Sequence, residues 1–152
     1  MKLTSTVTYT SETHPDVTFT VRVLNLIQRA KRDLGIADHL TAYAENEQKR
    51  EAILRDICGE EKDPAKRTTL VQASSRAAEL AKVHVDSNMI YEAHIQPAEI
   101  RSGLVKVQGL EIDDCAAPTV EQVIAWAPDD LLREIAKRCN ENAGMTADQQ
   151  KN

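Results

Sequence analysis

Apolar and polar positions alternate over residues 2–10 and again over 17–24. Leu3, Val7 and Tyr9 share one face of the first run, and Val17, Phe19, Val21 and Val23 share one face of the second. Threonines fill much of the opposite faces. Period two with β-branched residues predicts two strands, and the stretch Ser11-Glu12-Thr13-His14-Pro15-Asp16 between them is turn material. An N-terminal β-hairpin over 2–24 follows. A two-stranded hairpin is marginal in water, so it needs a third strand, a helix face or another subunit.

At Asn25 the period changes. Asn25 is a cap, Gln28 stands in the capping-box position, and Leu26, Ile27, Ala30 and Leu34 make one stripe before Gly35. A second helix is predicted from Asp38 to about Cys58, with Leu40, Tyr43, Ile53, Leu54 and Ile57 on its buried side and Glu45/Lys49 and Glu51/Arg55 as i,i+4 pairs outside. Its middle, 45–51, is almost wholly polar, which predicts a segment projecting from the core. Asp63-Pro64 opens a third helix, whose pattern continues to Gln96 along a seam of Leu70, Ala73, Ala77, Leu80, His84 and Tyr91. In one piece that helix would be about 50 Å long. Either Asp86-Ser87-Asn88 breaks it or the protein is elongated, and Pro97 ends it.

Leu104-Val105-Lys106-Val107 reads as a third strand, with a bend or bulge at Gly109 and a continuation through Leu110-Glu111-Ile112. Thr119 with Gln122 forms a second capping box, Val120, Val123 and Ile124 facing inward. Pro128-Asp129-Asp130 starts a last helix with Leu131, Leu132, Ile135 and Cys139 as its core face; Gly144 ends it and Thr146 caps a further turn. The predicted fold is α+β in a single domain over 1–152. A β-hairpin (2–24), a helical segment (25–96) and a short third strand with C-terminal helices (104–152) place the strands on a mainly helical body of four to five helices.

Composition changes this picture in one respect. Among 152 residues there are one Trp, one Phe and three Tyr, so large apolar side chains are scarce and the isolated chain is predicted to be modestly stable or helped by an oligomer or partner. Charge is uneven: of 24 acids and 19 bases, nine acids and four bases fall in residues 111–152, which therefore carry the whole net charge of −5. Phosphate neutralisation needs clustered Lys and Arg, so that balance argues against nucleic-acid or anionic-membrane binding by the C-terminal part. The helix at 25–34 has three basic residues and no aromatic neighbours, which makes a poor DNA reader. With no apolar run of signal-peptide or membrane-span length, a cytosolic location is predicted.

Candidate chemistry is sparse. No nucleophile-elbow, phosphate-loop, dinucleotide, zincin or EF-hand spacing occurs. Cys58, Cys115 and Cys139 lack a CxxC pair and read as free thiols, and His14, His39, His84 and His94 are scattered, His84 as a half-buried side chain. Neither a metal nor another cofactor is predicted. Glu111 and Asp113, on one face of the predicted strand and followed by Asp114, are the one pair able to hold a divalent ion or act as acid and base, which defines a small metal-dependent hydrolase as the enzymatic alternative.

Three stretches taken together carry a resemblance: Gly109-Leu110-Glu111-Ile112-Asp113 followed by small residues and Pro118, the acidic helix start Pro128-Asp129-Asp130-Leu131-Leu132-Arg133-Glu134-Ile135, and the strand His14-Pro15-Asp16-Val17-Thr18-Phe19 leading into a basic amphipathic helix. With the polar Lys151-Asn152 end, they resemble small proteins from the tail-gene regions of tailed phages and prophages that look like tail assembly chaperones. The resemblance covers both ends and not 38–96, and where it would place Gly after Ile112-Asp113 this chain has Asp114. It implies binding to the tape-measure protein and recruitment of tail-tube subunits in the host cytoplasm, without catalysis. The alternative in the same class is a subunit retained in the virion tail, neck or baseplate. Partner contacts, including self-association, are predicted at Val17, Phe19 and Val21 of the hairpin or at Arg29 and Arg32 of the basic helix.

Overall fold

A computed structural model describes residues 5–143. The described residues form two compact units, 5–36 with 95–143 and 37–94.

In the first unit, β1 (Thr6–Thr10) and β2 (Thr18–Arg22) make the predicted hairpin, and β3 (Leu104–Gln108) joins it antiparallel in the order β1-β2-β3. Leu3, predicted in the first strand, lies outside the described residues. Two cross-strand rows form the inner face: Val7 opposite Val21 opposite Leu104, and Tyr9 opposite Phe19 opposite Val107. β3 departs from strict alternation. Thr20 faces Lys106 while Val21 faces Leu104, so Val105 is an extra residue and Leu104 and Val107, three apart, are buried on the same side.

Gly109 follows with φ +80°, and a Cβ there would run into the Asp16 carbonyl oxygen, so only glycine fits against the hairpin loop. The predicted strand continuation at 110–112 is reduced to a single bridge between Ile112 and Cys115.

Onto the sheet pack α5 (Gln96–Gly103), α6 (Val120–Trp126) and α7 (Asp129–Glu141). Ile100, Val123, Leu131, Ile135, Ala136 and Cys139 close the core over Phe19 and Val21. The Thr119–Gln122 capping box forms as predicted: Thr119 Oγ1 accepts from the Gln122 N–H at 3.2 Å and Gln122 Oε1 accepts from the Thr119 N–H at 2.9 Å. Gly144 and Thr146, predicted to end α7 and to cap a further turn, lie outside the described residues. The same unit holds α1 (Leu26–Gly35), capped at Asn25.

The second unit is helical: α2 (Ala37–Cys58), α3 (Pro64–Ala73) and α4 (Ala77–Ile90). α2 and α4 run antiparallel. Near one end Tyr43 meets Tyr91 and His39 stacks on His94 with ring centroids 3.7 Å apart, and near the other Arg76 pairs with both Asp56 and Glu79. The single helix predicted over 64–96 is interrupted, though not at Asp86-Ser87-Asn88, which lie inside α4. The break falls at Ser74, whose extended backbone and side chain, accepting from the Arg76 N–H at 3.1 Å, offer the chain a local alternative to the helical ladder.

Pro97 begins α5 instead of ending a helix, sitting in a first turn that needs no amide there. Just before it a π-helical turn, Tyr91–Ile95, widens the ladder at the carbonyl four residues back, which a proline ring would otherwise strike. These divisions give the body more helices than the four to five predicted.

Candidate partner-binding site

The hairpin side chains predicted to meet a partner are spent on the fold. Val17, Phe19 and Val21 are 5%, 1% and 0% exposed and belong to the core under α5, α6 and α7. The alternation that marked them reports this burial and offers no free surface.

α1 presents the reverse arrangement. Its cap is the one predicted: Asn25 Oδ1 accepts from the Gln28 N–H at 2.9 Å and Gln28 Oε1 accepts from the Asn25 N–H at 3.0 Å. At 100° per residue Leu26, Ile27, Ala30 and Leu34 fall on one face, and Arg29, Arg32 and Asp33 on another. The polar face is the one turned to the rest of the unit. Arg32 keeps only 8% of its side chain exposed, its Nε donating to Asp33 Oδ1 at 2.8 Å and its Nη1 buried without a partner. Arg29 donates to the Ala143 carbonyl at 3.3 Å and lies 3.8 Å from Asp33. The apolar face is consequently in solvent, with Leu26, Ile27 and Leu34 exposed at 73%, 69% and 79%. The stripe that the sequence marks is therefore an outward face.

Of the two basic residues predicted at the site, Arg32 is thus enclosed and Arg29 is partly engaged within its own unit. Leu26, Ile27 and Leu34 were legible as a stripe and not as a surface, because periodicity reads alike whether a helix is covered by its own chain or by another. Trp126 is also exposed, at 70%, and composition gave no sign of it. In the helical unit Leu54, Val71, Ala77, Leu80 and Ala81, with Arg50 and His84 beside them, line an open groove of about 300 Å³. His84 there is exposed and bonded to Asn88, not half-buried as predicted.

The acidic pair resolves into turn geometry. Ile112 and Cys115 exchange backbone hydrogen bonds at 3.1 and 2.9 Å, and Asp113 and Asp114 between them have φ 51° and 59°. Positive φ at both central positions is the demand of a type I′ turn, which Asp tolerates among non-glycine residues. Asp114 therefore keeps the tight turn without glycine, and Asp113 sits in that turn instead of sharing a strand face with Glu111. Among the described residues no three His, Cys, Asp or Glu side chains gather as a metal site.

The cysteines are free: Cys58 and Cys139 are buried and Cys115 is half-buried. Burial, with the Glu99 carboxylate adding to it against the opposing field of Arg32, pushes the Cys139 thiol up to about 12. Such a thiol is inert at neutral pH. No helix among the described residues is long and apolar enough to cross a membrane. Compared with known protein families, curated proteins and solved structures, the chain matches none.

Proposed function

We propose that this chain is a non-catalytic binding module whose contact surface is the outward face of α1, and that it acts like the tail assembly chaperones its sequence resembles. The observation that carries the reading is the exposure of Leu26, Ile27 and Leu34 on one face of a capped helix. A helix with such a face is half of a helix–helix contact, and an amphipathic helix of another protein supplies the other half. Leu26 and Leu34 lie roughly 12 Å apart along the axis. Burying large apolar side chains is worth about 1.5–3 kcal/mol each before the costs of association, enough for a contact that forms and releases during assembly.

Lys31 flanks the stripe, while Asp33 is held by Arg29 and Arg32, so a partner helix with acidic residues beside its own apolar row fits best. In the setting the resemblance implies, that partner is a tape-measure segment or a tail-tube subunit met in the host cytoplasm. The proposal gives Glu111 and Asp113 no chemistry.

Mass spectrometry of purified particles beside the lysate of induced cells tests the role. Peptides of this chain in the lysate and not in finished particles support a transient assembly factor. Stoichiometric presence in the particles replaces it with a retained virion subunit.

A further inference from the structure

The three-stranded sheet has two edges, and they are treated differently. At the β3 edge stand a bulge at Val105, a charged Lys106 and the turn at Gly109, the devices by which proteins discourage pairing with other strands. β1, Thr6-Val7-Thr8-Tyr9-Thr10, has no charge, no proline, no glycine and no bulge.

The direction of its backbone groups follows from the ladder. Ser5 accepts from the Val23 N–H at 2.9 Å and the Ser11 N–H donates to Val17 at 2.8 Å, so the residues bonded to β2 are the odd-numbered ones. In an antiparallel pair hydrogen-bonded and non-hydrogen-bonded positions alternate. The N–H and C=O groups of Thr6, Thr8 and Thr10 therefore point away from β2 along the open edge. Their side chains are exposed on the outer face, while Val7 and Tyr9 on the inner face are only half-buried against the core.

We infer that β1 pairs antiparallel with β1 of a second copy, about a two-fold axis through Thr8. The sequence of the strand carries the choice of occupant. Thr-Val-Thr-Tyr-Thr reads nearly the same in both directions, so a copy of itself is a matched partner. With Thr8 opposite Thr8, Thr6 lies opposite Thr10 of the second copy, and each outward N–H and C=O of one strand meets its complement on the other.

The same register sets Val7 opposite Tyr9 of the second copy at non-hydrogen-bonded positions, where side chains approach most closely. It also sets threonines opposite threonines on the outer face. Aromatic–β-branched and Thr–Thr pairs are among the favourable cross-strand pairs. Moving the axis by one residue to Val7 or Tyr9 keeps the direction of the groups but leaves an outward threonine of each strand opposite a residue outside it. An isologous contact of this kind closes at a dimer with one continuous six-stranded sheet. It is independent of the α1 face, and Leu26→Asp leaves it intact.

Sedimentation equilibrium over a range of concentrations, together with amide hydrogen exchange, tests it. The wild-type chain is expected to move from 16.9 kDa to twice that mass as concentration rises, and the amides of Thr6, Thr8 and Thr10 to gain protection in parallel. Thr8→Pro removes the central outward donor and leaves the backbone bonds to β2 in place, giving up the hydroxyl pair of Thr8 with Thr20, and Thr8→Lys sets like charges on the axis. Both are expected to abolish the dimer, and Val105→Lys on the other edge to leave it unchanged.

A wild-type chain that stays monomeric at several hundred micromolar with those amides exchanging freely overturns the proposal, including the case in which another protein's extended segment occupies the edge. A dimer that persists in folded Thr8→Lys, or one in which the three amides stay unprotected, overturns it as well.

Discussion

Ser11 and Glu134, 123 positions apart in the chain, meet in a short hydrogen bond: the serine hydroxyl donates to Glu134 Oε2 at 2.6 Å. The same carboxylate accepts from the Glu12 N–H at 2.8 Å and from the Thr13 hydroxyl at 3.1 Å, and one turn earlier Asp130 meets His14 at 3.0 Å. The hairpin loop is thereby tied to the first two turns of α7. Glu134→Ala strips Ser11, which is only 3% exposed, of its charged acceptor. The expected loss is about 1–3 kcal/mol, read as a lower urea midpoint at unchanged m-value.

The same contacts set an acid limit. Burial by itself would raise the Glu134 carboxyl, but the Ser11 hydroxyl and the Glu12 and Thr13 groups outweigh it and hold it below the ordinary carboxylate range. The His14 side chain, followed by the Leu131 N–H, lowers Asp130 against a smaller effect of burial. A carboxyl with a depressed folded pKa stabilises fully above its unfolded value and loses that contribution as pH falls through the folded one. Tm is therefore expected to be flat in this respect above about pH 5 and to fall below about pH 4. In Glu134→Gln with Asp130→Asn the low-pH drop is expected to be shallower; an identical drop would assign acid sensitivity to other groups.

Two glycines make a matched test of backbone geometry. Gly109→Ala places a methyl against the Asp16 carbonyl at a positive φ and is expected to cost more than about 2 kcal/mol. Gly35→Ala, at the last residue of α1, meets nothing within 4 Å and is expected to stabilise by up to about 0.5 kcal/mol. Thermal unfolding of both variants checks the pair, and equal shifts would contradict the close approach at Gly109.

Thiol reactivity separates the three cysteines. Cys139, raised to about 12, and the buried Cys58 are expected to resist a disulfide reagent in the native protein, while the half-buried Cys115 reacts first. All three react in denaturant. Early modification of Cys139 in the native state would place it outside the core.

Caps and hairpin strands were legible in the sequence because each is written in adjacent residues: Asn25 with Gln28, Thr119 with Gln122, Asp63 before Pro64, and the alternation around Phe19. The misread features turn on a competition that the residue pattern leaves open. The bulge at Val105 is set by β2, not by its own neighbours. Ser74 breaks a helix that Ala and Leu propensities would continue. Pro97 stops or starts a helix according to the backbone before it, and here a π turn makes it a start.

The candidate site was misplaced for the same reason. Phe19 and Leu26 both belong to apolar stripes, and only tertiary packing decides that the first is core and the second is surface. Phe19→Ala is accordingly expected to cost about 3–5 kcal/mol, and Leu26→Asp to stay within about 0.5 kcal/mol of wild type.

That difference allows partner binding through the apolar face of α1 to be tested apart from folding. Titration calorimetry of the purified chain against tape-measure segments, the partner class the resemblance implies, run for wild type and for Leu26→Asp/Leu34→Asp, separates binding from folding. Saturable binding by wild type is expected, and its loss in a double variant of unchanged circular dichroism and Tm. Equal binding by both proteins would contradict a site on that face.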